Sequence, residues 1–209
     1  MRAPAFLAGS SPAAHYGLAS AILLSLAVIF VQPLTSSMVL HMLVHIPVIL
    51  FAGMCAAQAL AKSRRLACWP EFFRRALQQY RQFDEFGVPG LLLASLAAAY
   101  WMLPKALDQV QVSLVASVFK FLLLFLLGMV LLDSLKRSNV VIKLFFLGGF
   151  CWMSAAVGLL YQSDSVRLCN FYLPDDQVIA GRCLVALSIV LPLLWLAVSM
   201  KVVRRFLSH

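Results

Sequence analysis

"SMVLHMLVHIPVILFAGMCAAQALA", Ser37–Ala61, decides the fold class. It holds no Asp, Glu, Lys or Arg, and as a helix it exceeds the roughly 20 apolar residues needed to cross a bilayer core. The rest of the chain agrees with it. Of 209 residues, 63% are hydrophobic and 12% charged, whereas a soluble domain is about half apolar and about a quarter charged. The expected fold is an all-α, polytopic membrane helix bundle.

About six stretches reach membrane-spanning length: 16–34, 37–61, 86–103, 112–132, 141–161 and 178–200. They leave no room for a soluble domain, so residues 1–209 are read as one integral membrane domain. The first apolar run is read as a retained helix, since no small-x-small cleavage site follows it. Between the second and third stretches, the inner segment 62–85 contains "WPEFFRRALQQYRQF", Trp69–Phe83. Phe72, Phe73, Ala76, Leu77 and Tyr80 recur there at near-helical spacing, with Arg74, Arg75, Gln78 and Arg81 between them. That pattern suits an amphipathic helix on the inner leaflet, and an ordinary connector is the other reading.

The net charge of +9 is explained by where the bases fall. Lys62, Arg64, Arg65, Arg74, Arg75 and Arg81 crowd one connection, Lys136, Arg137 and Lys143 another, and Lys201, Arg204 and Arg205 follow the last stretch. With alternating helices these fall on one side, and the positive-inside rule makes that side cytoplasmic. Both termini are then expected in the cytoplasm, and no nucleic-acid partner is needed. The five cysteines show no paired metal or redox spacing. Cys169 and Cys183 both fall near the outer face, where a disulfide is open.

Within the opening stretch, His41 and His45 lie four residues apart and therefore share a helix face. Met38 and Met42 stand one turn above each of them. Imidazole and thioether together suit copper, the thioether favouring Cu(I). Pro47 cannot donate to the Leu43 carbonyl and should kink the helix, opening room beside the histidines. The plainer reading is a buried histidine bonded to a neighbouring helix, with methionine as core filler. Other helices must complete any ligand set, and Met102 at the outer end of the third stretch is a candidate soft ligand. Asp108, Asp175, Asp176 and Gln177 are candidate outer-face contacts, although Asp after Pro174 also makes a good helix start. Lys120, about two turns inside the fourth stretch, is expected to snorkel outward or to pair with an outer carboxylate. Gly148, Gly149 and Gly158 look like positions of close helix packing. Hydrolase, kinase, nucleotide-binding and zinc-protease motifs do not occur, so no enzyme activity is expected.

Three of these elements carry a resemblance. "LHMLVH" (Leu40–His45), "WMLP" (Trp101–Pro104) and "DDQVIAG" (Asp175–Gly181) follow one another as in the multi-pass CtaG family, the assembly factors of caa-type cytochrome c oxidases. This chain resembles a shortened, diverged member: Met102 stands where the family has a histidine, and none occurs between His45 and His209. The resemblance implies copper delivery to an oxidase subunit, a chaperone role in respiratory-chain assembly, from a site on the outer face of the bacterial inner (cytoplasmic) membrane. Besides lipid, the expected partner is a membrane oxidase or another membrane-complex subunit. The alternative is a non-catalytic structural subunit without metal. Haem is the less favoured cofactor, because two histidines on one helix face cannot approach opposite faces of the ring, which leaves single-histidine ligation.

Overall fold

A computed structural model describes residues 12–63, 71, 75, 79–80, 82–163 and 171–207, and all regular structure among them is helical. Helix α1 is Pro12–Ile29, and a break at Phe30 leads to the short α2, Val31–Thr35. Helix α3, Met38–Leu40, starts after an extended Ser37 and runs into a π-helical segment, His41–His45. Helix α4, Ile46–Lys62, continues it, and Met38–Lys62 is long and apolar enough to cross a membrane.

The π segment follows from Pro47. Its missing N–H and its ring keep it off the Leu43 carbonyl, and the Ile46 N–H just before it bonds back to the His41 carbonyl, five residues away. The backbone widens locally instead of breaking. Such π-bulges are frequent at functional sites, and this one coincides with the two histidines.

The third stretch departs from expectation. Helix α5 is Val88–Trp101, 14 residues, or about 21 Å at 1.5 Å per residue. That is short of the roughly 30 Å hydrocarbon core. Pro104 disfavours helix at the residue before it, so Leu103 is extended and α6, Pro104–Val112, leaves at 74°. Five helices among the described residues are therefore long and apolar enough to span, and six only if the bent pair is one span. Helices α7 (Leu114–Arg137), α8 (Val140–Tyr161) and α9 (Pro174–Leu207) complete the bundle. Ser113 and Asn139 cap α7 and α8 by accepting from the Ala116 and Ile142 amides, which satisfies donors that a helix start leaves open.

Glycines set the closest contacts. A Cβ on Gly53 of α4 would strike the Phe125 carbonyl, and one on Gly128 of α7 would strike the Leu50 carbonyl. Ser20 of α1 donates to the Ala52 carbonyl on another side of α4 at 2.8 Å. Gly158 and Gly181 bring α8 and α9 together in the same manner. Gly148 and Gly149, also expected at close packing, meet nothing within 4 Å, because they lie on the exposed side of α8 with Phe145 and Trp152.

Contacts also sort the helix ends. Lys62 at the end of α4 lies over the Tyr16 ring near the start of α1, and Lys136 near the end of α7 donates to Gln58. Beside them the buried Asp84 accepts from Ser134 at 2.7 Å, from Tyr80 at 3.0 Å and from the Gly90 amide at 3.2 Å. This basic end opposes the end that holds α6 and the starts of α7 and α9. Of the inner segment, Glu71 and Arg75 form an exposed ion pair one turn apart and Phe83 is exposed. Phe72, Phe73, Arg74, Ala76, Leu77, Gln78 and Arg81, on which the leaflet-helix reading turns, lie outside the described residues, as does Cys169 of the candidate disulfide.

Candidate functional site

His41 and His45 project from the π segment toward the bundle interior, and both are 0% exposed. Their rings share a face, with centroids 5.5 Å apart. Between them sits Lys120 of α7, also 0% exposed. Its Nζ lies 3.0 Å from His41 Nε2 and 3.2 Å from His45 Nδ1, and it faces the Phe121 ring at 5.3 Å.

The partners assign the tautomers. An ammonium has donors and no acceptor, so both nitrogens facing Lys120 accept. His45 Nε2 then carries a proton and donates to the Ala27 carbonyl at 3.1 Å. His41 Nδ1 likewise donates to the Tyr172 hydroxyl at 2.8 Å. The same hydroxyl takes a bond from Gln111 Nε2 at 2.8 Å, and Gln111 also donates to the Thr35 carbonyl at 3.0 Å. Groups from α1, α2, the π segment, α6, α7 and the approach to α9 thus close one hydrogen-bonded network.

This corrects the expectation for Lys120. Its ammonium is buried between the two histidines instead of snorkelling outward. Its side chain turns inward because two imidazole lone pairs meet there, and ion–dipole bonds in a dry interior are stronger than in water. Among the described residues no carboxylate pairs with it.

The remaining candidates occupy different surroundings. Met38, Met42 and Met102 are buried in one apolar core with Ala27, Ile49, Leu124 and Tyr172. The Met102 carbonyl receives the Tyr161 hydroxyl, while the neighbouring Trp101 indole N–H is buried with no hydrogen-bond partner among the described residues. Asp175 is exposed in the first turn of α9, and Gln177 is turned inward, donating to the Tyr161 carbonyl at 3.3 Å. Asp108 takes the Phe171 amide at 3.3 Å and lines a cleft of about 400 Å³ with Lys105, Gln109 and Val112. Asp108 and Gln177 thus bind groups other than the histidines, whose partners are Lys120, Tyr172 and the Ala27 carbonyl. No group of three or more His, Cys, Asp or Glu residues suited to a metal occurs among the described residues.

Tyr172, Gln111 and Asp84 carry polar links that the sequence reading passed over. Tyr172 sits in the same "FYLPDDQ" run as the acidic pair, and its aromatic character resembles an interface anchor. No protein-family model, curated protein or solved structure matches this chain.

Proposed function

We propose that this protein is a membrane-embedded copper-handling factor that assists assembly of a respiratory or other copper oxidase. In this reading His41 and His45 receive the ion as cargo, and the protein carries it without chemical conversion. The observation that supports it is the convergence of His41 Nε2 and His45 Nδ1 on one buried point, 3.0 and 3.2 Å from the Lys120 ammonium. Two lone pairs aimed at one buried point attract a cation, and in this reading further donors from other helices complete its ligand set. The donor chemistry fits Cu(I), since imidazole and soft thioether select it over harder ions. Met38, Met42 and Met102 belong to the core around the site and are the soft donors of this reading.

The orientation belongs to the same proposal. The end carrying Lys62, Lys136 and Arg137 is cytoplasmic by the positive-inside rule, which puts the histidine end on the outer side of a bacterial cytoplasmic membrane. Exposed Asp175 and the Asp108 cleft then face an incoming oxidase subunit.

A second reading has its own observation. Each ring nitrogen of His41 and His45 already has a partner within the chain, which is how a purely structural subunit of a larger complex would keep them. Elemental analysis of detergent-purified protein loaded with Cu(I) separates the two. The copper reading expects bound copper that disappears in His41→Ala/His45→Ala. Copper content that is negligible, or indifferent to that double substitution, leaves the structural reading. A Soret band in the purified protein would instead indicate single-histidine haem ligation.

A further inference from the structure

Lys120 occupies the point where a metal ion held by His41 and His45 would sit. Building on the copper reading, we infer that Lys120 is a resident competitor: its ammonium holds the site in the absence of cargo and must be displaced when copper enters.

Three observations carry this. The two nitrogens that the histidines keep free of backbone and tyrosine contacts are the two that face Lys120. The imidazoles are fixed from behind by the Tyr172 hydroxyl and the Ala27 carbonyl, so they cannot turn those nitrogens elsewhere without breaking a second bond. Lys120 itself is buried without a carboxylate partner among the described residues. Among the described residues its hydrogen bonds come from the histidines, and losing them to a metal leaves only the Phe121 ring beside it.

Two positive charges cannot share one dry point, because their repulsion is barely screened there. Displacement is feasible because a lysine stem is long and flexible, and Lys120 lies six residues into α7, roughly 9 Å below its outer end. The ammonium can swing toward that interface, in the way buried lysines reach water. A carrier built so holds its cargo less tightly than its ligands alone would allow. It is also never left with an empty pair of inward lone pairs after release. That suits transfer to a client more than storage.

The test is Cu(I) affinity measured by competition with a chromophoric chelator, on the full chain in detergent. Lys120→Leu removes the competing charge and should bind about tenfold more tightly or better, a change of the size seen when groups around metal ligands are altered. Lys120→Arg keeps an obligate cation and should bind more weakly than the parent. If Lys120→Leu binds no more tightly than the parent while binding still depends on His41 and His45, the competitor role is overturned and the copper reading stands. An arginine variant that binds as well as the parent overturns it too, even if the leucine variant does not fold. Absence of histidine-dependent copper in the parent and both variants removes the copper reading itself, and the competitor role with it.

Discussion

Lys120 Nζ lies 3.0 Å from His41 Nε2, across 79 positions of sequence and between two different helices. The bond supplies a charge-assisted contact to each partner in a dry interior. Such bonds contribute about 1.5–3 kcal/mol, and a buried group left without its partner costs at least as much.

His41→Ala should therefore destabilise the protein by about 1.5–3 kcal/mol, and Lys120→Leu by a comparable amount. The double variant should cost less than the two singles together, by about 0.5–3 kcal/mol of coupling, because it removes donor and acceptor at once. Unfolding in detergent micelles measures this cycle. Strict additivity would mean that the two side chains do not interact.

Glycine positions should separate into two groups. Alanine at Gly53 or Gly128 places a methyl against a backbone carbonyl of the facing helix, which cannot swing aside. Overpacking of this kind costs about 1–3 kcal/mol. Alanine at Gly148 or Gly149 enters open space and should be neutral or stabilising by up to about 1 kcal/mol, through better helix propensity. Thermal melting of the four variants checks the contrast, and equal losses at all four would refute the α4–α7 crossing.

At the basic end, Asp84 joins the start of α5 to the end of α7. Burial holds the Tyr80 hydroxyl above its ordinary value of 10.0, with Ser134 opposing and the Asp84 hydrogen bond and charge adding. The folded value exceeds the unfolded one, so this contribution to stability is fully present below pH 10 and fades as pH rises through the folded value. Alkaline unfolding should therefore be blunted in Tyr80→Phe. Asp84→Asn, which turns an amide donor toward donors, should cost about 1–3 kcal/mol at neutral pH. An alkaline profile identical in Tyr80→Phe and the parent would remove Tyr80 from the account.

The orientation proposal predicts that cysteine at position 175, in a variant otherwise free of cysteine, reacts with an impermeant thiol reagent added to intact cells. Cysteine at position 71, at the other end, should react only after the membrane is opened. The reverse order would place the histidine site on the cytoplasmic side.

Much of this was legible in the sequence, and the division has a physical cause. Apolar runs, and the pairing of His41 with His45 on one face, are local matters. They depend on residues within a turn or two, where helix geometry alone fixes who is neighbour to whom. Even Pro47 announced a disturbed backbone at the histidines, although the sequence could not tell a π segment from a kink. What faces a helix depends instead on how its neighbours are rotated and shifted, and composition does not encode that rotation one residue at a time. Lys120 could turn outward or inward by its own chemistry, and packing α7 against α4 through Gly53 and Gly128 turned it in. Tyr172 meets His41 across 131 positions, a pairing no periodicity signals. Gly148 and Gly158 look alike as sequence, yet only Gly158 meets another helix. The opening stretch determined that a histidine pair would share one face of a long apolar helix; tertiary packing decided that the pair would close around a lysine.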